Sequence, residues 1–338
     1  MATLQYLVRV LQPSPARKRR GRLLRSGAAF VVLLSVAGYV TVQYVTGGGG
    51  APGCKVVSAE DGGATYEFTP EQAVNAAAIT AVGTARDLPE RAVTIALATA
   101  LQESTLRNID HGDRDSLGLF QQRPSQGWGT PEEIMDPAYS AGMFYDHLVE
   151  VPGYTRLPLT VAAQRVQRSG FPDAYAKHEP DATLLAAALT GRSAATLTCQ
   201  GRPGATRDKG PDAVRAALVR DFGHDVLQPA GAEAGSGDAA TPQSTSSPAA
   251  GDSADADRTV TLPVAAAGSG TEASPERRGW QLAHWAVANA SSLHIQRVSY
   301  AGRQWTAGNT DSKWHPTGEG GARGAERAAG SVRITTAR

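Results

Sequence analysis

The sequence lacks a large net charge and most of the residue patterns that build nucleic-acid, nucleotide or metal sites. Its 338 residues carry 33 Lys and Arg against 32 Asp and Glu, so electrostatics gives no reason to expect a polyanionic partner. It has two cysteines, and its seven histidines are scattered without the spacing of metal ligands. It also has no phosphate-binding glycine loop and no nucleophile elbow. These absences exclude nucleic-acid binding, nucleotide hydrolysis and serine-hydrolase chemistry, and no metal or cofactor is predicted.

One long apolar run lies near the N-terminus. Residues 27–45 form a stretch of 19 uncharged residues, close to the roughly 20 that a helix needs to cross a bilayer. Residues 1–26 are rich in arginine, whereas the first basic residue after the run is Lys55. The positive-inside rule therefore predicts a cytoplasmic basic segment, a single transmembrane helix that anchors the protein in the cell membrane, and an extracytoplasmic remainder. A cleaved signal peptide and a lipoprotein acylated on Cys54 are the alternatives.

The two cysteines, Cys54 and Cys199, bracket the central part of the chain. With the predicted topology both face an oxidising compartment, where two cysteines are expected to form a disulfide bond. Such a bond would close a loop of about 145 residues and so remove much of the freedom of the unfolded chain. The alternative is a pair of buried free thiols.

Residues 54–200 contain a series of helix start signals and almost no alternating strand pattern. Thr69 and Gln72 have the form of a capping box and predict a helix to about Thr84. Asp87 with Glu90 predicts the start of a second helix, over 89–102, whose apolar residues lie nearly all round, as in a helix buried in a domain. Further helices are predicted from Pro137, Thr160 and Pro180. The predicted fold class is mainly α.

The remainder of the chain consists of four segments that differ in composition. Residues 201–228 predict a helical extension, and 229–278 have the small and polar composition of a disordered linker. Residues 279–315 predict a small α+β module with one amphipathic helix and a hairpin, and a disordered tail is expected over 316–338. This module holds four of the five tryptophans, Trp280, Trp285, Trp305 and Trp314. They serve either as the core of a small module or as a face that binds carbohydrate or envelope polymer.

Glu103 follows directly on the predicted buried helix. Partial burial and the negative end of the helix dipole both disfavour a charged carboxylate, so both are expected to raise its pKa. A carboxylic acid that keeps its proton near neutral pH can protonate the leaving oxygen of a glycosidic bond. Many helices also end in a surface glutamate with no such role, and that is the alternative for Glu103.

The residues around Glu103 resemble the signature of soluble lytic transglycosylases within the lysozyme-like superfamily, written ESxFxxxAxSxxGAxGLMQ. Six residues carry the resemblance by type and spacing: Glu103, Ser104, Gly118, Leu119, Gln121 and the later Pro124. Leu106 and Phe120 stand for the family's phenylalanine and methionine. The sequence departs at Gly112, where the family has serine, and at Asp115 and Ser116, where it has GA. Residues from about 66 to 199 as a whole are similar to an anchored, uncharacterised lysozyme-like family of actinobacterial envelopes.

The resemblance implies a lysozyme-like helical domain that cleaves peptidoglycan between N-acetylmuramic acid and N-acetylglucosamine. The candidate site residues are Glu103 as the catalytic acid and Ser104, Ser116, Gly118, Gln121, Trp128, Gln167 and Tyr175 as substrate-binding residues. Gln121 is expected to hydrogen-bond the sugar, and the Gly118 position to let the backbone approach it. Trp128 either stacks on a sugar or is pinned into the core. Gln167 stands where the family has a tyrosine, and Tyr175 is near enough to replace it.

The reaction type depends on whether a second carboxylate lies near Glu103. Retaining hydrolases place one about 5 Å from the acid, and the neighbours in sequence are Asp110, Asp113 and Asp115. The resemblance implies instead a single-acid route that forms a 1,6-anhydro product, with plain hydrolysis left open. The spacing of this acidic loop breaks the EF-hand pattern, which favours a solvated loop over a metal site. A peptidoglycan-binding or scaffolding protein without activity is the other functional class.

Overall fold

The computed structural model describes residues 53–60, 63–171, 173–201, 210–228, 257–264, 274–309, 313–317 and 330–337. The predicted cytoplasmic segment 1–26 and transmembrane helix 27–45 lie outside these ranges. Within them, every helix falls short of the length and hydropathy that a membrane crossing requires.

The described residues form a mainly helical region followed by a smaller region of helix and sheet. The helices are α1 (Pro70–Ala85), α2 (Glu90–Ser104), α3 (Pro131–Ile134), α4 (Pro137–Val149), α5 (Leu159–Gln167), α6 (Glu179–Leu189), α7 (Pro211–Phe222), α8 (Pro275–Ala288) and α9 (Ala290–Leu293). The strands are β1 (Cys54–Val57), β2 (Thr65–Phe68), β3 (Leu197–Cys199), β4 (Thr259–Pro263), β5 (Ile295–Tyr300), β6 (Arg303–Thr306), β7 (His315–Pro316) and β8 (Ser331–Thr336). The mainly helical prediction is confirmed at this level.

The starts of α1 and α2 show how local sequence signals succeed and fail. At α1 the predicted capping box is present in both directions, since Thr69 N donates to Gln72 Oε1 over 2.7 Å and Gln72 N donates to Thr69 Oγ1 over 3.2 Å. Helix α2 starts where the sequence predicts, but Pro89 occupies the N-cap position and no side chain, Asp87 included, caps the helix. The Glu90 carboxylate instead accepts hydrogen bonds from Arg192 and Arg277.

Helix α2 lies at the centre of the helical region, as its apolar sequence predicts. It packs against α1, α4, α5 and α6, and its residues from Ala92 to Leu101 are buried. Only a helix that is apolar on all sides can be surrounded in this way without burying unpaired polar groups. The C-terminal end of α2 leaves this core, and that is where Glu103 lies.

A small antiparallel sheet of order β2-β1-β3 closes the helical region and joins its two ends. Cys54 on β1 lies opposite Cys199 on β3, and the two form a disulfide bond. The predicted disulfide is therefore confirmed, and the alternative of two free thiols is wrong. The predicted helical extension is also present as α7, which ends at Gly223 with a positive φ of 84°.

The C-terminal region forms a second antiparallel sheet of order β4-β8-β5-β6-β7, with α8 packed on it. Two expected boundaries differ from the structure: β4 lies within the predicted linker 229–278, and β8 lies within the predicted tail 316–338. Both strands bury alternate apolar residues, Val260 and Leu262 on β4 and Val332 and Ile334 on β8. β8 pairs with the whole of β4 on one side and with β5 on the other, so β4 joins the sheet through β8.

The tryptophans of this region are buried and connect it to the helical region. Trp305 Nε1 donates to the Cys199 carbonyl and Trp314 Nε1 to the Leu197 carbonyl, both over 2.9 Å, so two indoles hold the backbone of β3. Trp285 Nε1 donates to Asp221 on α7 over 2.8 Å. All four tryptophans are no more than 5 % exposed. This supports the interpretation of these aromatics as core residues rather than a binding face.

Candidate active site

Glu103 is the second-to-last residue of α2, and its carboxyl is half-buried. Thr105 follows with a left-handed backbone, φ 56°, which ends the helix and turns the chain away. Burial raises the pKa of Glu103 above its usual value, and hydrogen bonds from Tyr175 and Gln167 offset part of that rise. The carboxyl is thus biased towards the protonated form, the direction that the sequence argument predicts.

Tyr175 and Gln167 are brought together at Glu103 from different parts of the chain. Tyr175 is fully buried, and its hydroxyl donates to Glu103 Oε1 over 2.6 Å. Gln167 is the last residue of α5, and its amide donates to the Phe120 carbonyl over 2.8 Å as well as to the Glu103 carboxyl. The two residues proposed as alternatives for one tyrosine position therefore contact the same carboxyl.

Ser104 connects the end of α2 to the loop that carries Leu119 and Phe120. Its hydroxyl lies 2.8 Å from the Leu119 carbonyl and 3.1 Å from the Ala100 carbonyl, and the residue is buried. Together with the bond from Gln167 to Phe120, this fixes the loop across the end of the helix. Ser104 is therefore placed to position the loop.

Gln121, Gly118 and Ser116 are engaged within the loop itself. The Gln121 amide donates to the carbonyls of Gly118 and His111, over 3.3 and 3.4 Å. Gly112, where the lytic transglycosylase signature has serine, leaves the space that this amide occupies, since a Cβ there would collide with it. A Cβ on Gly118 would lie 2.7 Å from the Ile134 carbonyl oxygen, so glycine is needed for packing within the protein. Ser116 is buried in the same loop.

The three aspartates of this loop, Asp110, Asp113 and Asp115, each have a different environment. Asp110 pairs with His111 over 2.9 Å in an exposed position, and the Asp113 side chain is 94 % exposed. Asp115 accepts hydrogen bonds from Ser125 and Arg123, which hold the pKa of its carboxyl well below the usual range. Among the described residues, no acidic neighbour contributes to the raised pKa of Glu103. Nor do these residues contain a cluster of three His, Cys, Asp or Glu side chains that could hold a metal ion.

A groove of about 700 Å³ lies beside Gln167. Its lining includes Gln126, Trp128, His147, Arg165, Gln167 and Arg168. Because Gln167 contacts Glu103 and also lines the groove, it joins the acid to this space. Trp128 is half-buried, packs on the core and stacks on His147 with ring centroids 4.3 Å apart. Trp128 is therefore packed against the core and also lines the groove, and its stacking on a sugar stays a prediction.

Several residues near this groove were not predicted from the sequence. Arg165 and Arg168 flank Gln167 on either side and line the groove. Phe171, on the loop between Gln167 and Tyr175, is 76 % exposed, which is unusual for a phenylalanine. The signal that could have found the arginines is their spacing around Gln167 in the phrase QRVQRSG, which places all three at one helix end.

Comparison with known proteins bears on a different part of the chain. Residues 260–327 are similar to the family described as VldE, C-terminal domain. That range begins on β4 and takes in α8, α9, β5, β6 and β7, so it includes the four buried tryptophans. No curated protein matches the chain. The family similarity therefore covers the C-terminal region, and the helical region with Glu103 is interpreted from its own geometry.

Proposed function

We propose that this protein is a membrane-anchored, extracytoplasmic enzyme that cleaves the glycosidic bonds of peptidoglycan. The proposed bond joins N-acetylmuramic acid to N-acetylglucosamine, and Glu103 is the proposed general acid and base. The anchor would be residues 27–45, and the Cys54–Cys199 disulfide supports an oxidising location outside the cytoplasm. The proposed fold of the helical region is lysozyme-like.

The observation that carries this proposal is the environment of Glu103. Its half-buried carboxyl has a raised pKa, is oriented by Tyr175 and Gln167, and connects through Gln167 to a groove large enough for sugar rings. A general acid needs a carboxyl that keeps its proton and has a fixed direction. A surface glutamate would have neither property.

The proposed reaction proceeds in two proton transfers. Protonated Glu103 gives its proton to the glycosidic oxygen as the bond to the muramyl C1 breaks, which leaves Glu103 as a carboxylate. The carboxylate then accepts the proton of the muramyl 6-hydroxyl as that oxygen bonds to C1 and closes a 1,6-anhydro ring. If water attacks instead, the same carboxylate accepts the water proton and the product is a reducing sugar. Tyr175 and Gln167 donate hydrogen bonds that stabilise the intermediate carboxylate.

A catalytically inactive peptidoglycan-binding or scaffolding protein is the second candidate, and the orientation of Gln121 favours it. In the lytic transglycosylase resemblance this residue belongs to the substrate site, yet here its amide is bonded to its own loop. A pure binding protein, however, has no use for an oriented carboxyl with a raised pKa. We therefore favour the enzyme.

The proposal is tested with the full-length protein, peptidoglycan sacculi and the variant Glu103→Gln. The wild type is expected to release soluble muropeptides. The rate of the variant is expected to be lower by about 10²- to 10⁴-fold, the usual contribution of a general acid. Glu67→Gln, an exposed glutamate on β2, is the matched control and is expected to keep full activity. Mass spectrometry separates 1,6-anhydro products from hydrolysis products, which are heavier by one water. Equal products from wild type and Glu103→Gln would rule out Glu103 as the acid.

Thermal unfolding of the same variant gives a check that does not depend on substrate. Because burial raises the pKa of Glu103 in the folded state, its ionisation opposes folding, and the stability present at low pH is lost as pH rises through the folded pKa. Glu103→Gln cannot ionise. It should therefore have a higher Tm than the wild type at neutral pH, and the difference should shrink at acidic pH. A variant with a lower Tm at neutral pH would contradict the burial argument.

A further inference from the structure

We propose that Arg165 and Arg168 make the groove selective for glycan strands that carry carboxylate groups. This inference rests on the proposed function of Glu103, because it concerns the part of the same strand that extends past Gln167. It specifies the chemistry of the ligand beyond the bond that is cleaved.

The end of α5 fixes both arginines at the groove. Gln167 is the last helical residue, and Arg168 adopts a left-handed backbone with φ 52°, which its N–H bond to the Gln164 carbonyl over 2.8 Å holds in place. The Gln164 side chain donates to the Ser169 carbonyl over 2.7 Å and fixes the next residue. Arg165 lies three residues before Arg168, and both residues line the groove.

The two guanidinium groups are exposed, and neither has an ion-pair partner within the described part of the chain. Some other arginines of the helical region are paired, as in Arg86 with Asp146 and Arg91 with Glu179. An arginine that lines a cavity without a protein partner is available to a ligand. Its planar group can bind a carboxylate through two parallel hydrogen bonds.

The charge balance of the groove is positive. Glu150 is its acidic member, against the two arginines, and His147 stacks on Trp128 with its Nδ1 atom 2.8 Å from the Met143 carbonyl. A neutral sugar polymer would gain nothing from this charge, whereas a carboxylated one would. In peptidoglycan the carboxylates come from two sources: the lactyl group of a muramic acid without peptide, and the termini and side chains of the stem peptide.

Gln167 explains why this charge matters for the proposed reaction. It contacts Glu103 with its amide, and it lies between Arg165 and Arg168 in sequence on the same helix end. A sugar bound at Glu103 therefore places the substituents of a neighbouring residue within reach of the arginines. The arginines would contribute to binding of the strand and leave the proton transfer unchanged.

The test measures strand binding in full-length protein made inactive by Glu103→Gln, so that no ligand is consumed. Three ligands are compared by calorimetry: peptide-bearing strands, peptide-free strands with lactyl carboxylates, and peptide-free strands whose carboxylates have been converted to amides. We expect at least one carboxylated strand to bind about tenfold more tightly than the amidated strand, and the preference to fall with added salt. If both carboxylated strands bind more tightly than the amidated strand, the lactyl carboxylate is sufficient for recognition. If only the peptide-bearing strand binds more tightly, the arginines recognise the carboxylates of the stem peptide.

The variants Arg165→Gln and Arg168→Gln, combined in the same background, should remove this preference. Arg107→Gln, which is also exposed but does not line the groove, is the matched control and should keep it. Equal binding of amidated and carboxylated strands, a preference that survives the double variant, or no binding of any strand would overturn the proposal. If the wild type binds with the expected preference yet cleaves nothing, the catalytic proposal fails and the charge selection stands.

Discussion

Trp128 and the four tryptophans of the C-terminal region have opposite surroundings. The four are buried, and three of them use their indole N–H groups to bind Cys199, Leu197 and Asp221 in the helical region. Trp128 is half-buried, stacks on His147 and lines the groove. The comparison shows that a concentration of tryptophans in the sequence marks the interface between two regions, whereas the tryptophan beside the groove stands alone.

Two carboxyl groups with raised pKa values, those of Asp221 and Glu103, also differ in their surroundings. Asp221 has a fully buried side chain, and burial raises its pKa against the opposing hydrogen bonds from Arg220 and Trp285. Burial raises the pKa of Glu103 as well, but Glu103 is half-buried and adjoins a groove through Gln167. A raised pKa therefore does not by itself mark an active site. The contact of Glu103 with Gln167, which lines a groove, distinguishes the two.

The largest effect is expected from Trp285→Ala, measured by urea unfolding of the full chain. The substitution removes a fully buried indole and leaves the buried Asp221 carboxyl with one donor, Arg220, instead of two, so we expect a loss of about 3 to 5 kcal/mol in the free energy of unfolding. Trp285→Phe keeps most of the ring volume and should lose less, about 1 to 3 kcal/mol. If Trp285→Ala lost no more unfolding free energy than Trp128→Ala, the contrast between the buried tryptophans and Trp128 would be wrong.

A smaller effect of a different kind is expected from Trp128→Ala. Because Trp128 lines the groove, its loss should raise KM for peptidoglycan by roughly five- to thirtyfold, or about 1 to 2 kcal/mol, and leave kcat within a few-fold. The cost in unfolding free energy should be smaller than for Trp285→Ala, since the side chain is only half-buried. Trp128→Phe, which can still stack on His147, is the control and should keep KM near the wild-type value. An unchanged KM in the alanine variant would show that substrate does not occupy this groove.

The smallest effect is expected from Tyr175→Phe, which keeps the buried ring and removes one hydroxyl. That hydroxyl donates to the Glu103 carboxylate and lowers its pKa, so without it the pKa should rise further. The acid then keeps its proton to higher pH, and the basic limb of the profile of kcat/KM against pH should move upward. Tyr66→Phe, at a half-buried tyrosine of β2, is the control and should leave the profile in place. A shift to lower pH would contradict the assignment of Glu103 as the acid.

Local sequence signals predicted those parts of the fold that depend on neighbouring residues. The capping box of Thr69 and Gln72 needs four residues of chain, and the burial of α2 follows from an apolar helix with no polar face. Strands β4 and β8 escaped prediction because each is a short pattern within a stretch of low complexity, and each is held in the sheet by distant strands: β8 pairs with β4 and β5, and β4 pairs with β8. Asp87 and Glu90 indicated the start of α2, but the partners of the Glu90 carboxylate could not be predicted, because Arg192 and Arg277 lie about 100 and 190 residues away.

The sequence alone determined where α1, α2, α4, α5 and α6 form, the position of Glu103 at the end of a buried helix, and the two cysteines that could pair. The tertiary structure decided which side chains reach that carboxyl, since Gln167 and Tyr175 are 64 and 72 residues from Glu103 along the chain. It also decided that Gln121 turns into its own loop and that the tryptophans bind β3. The physical reason is that helix formation and capping act over a few residues, whereas burial, hydrogen-bond partners and access to a groove depend on packing between distant segments.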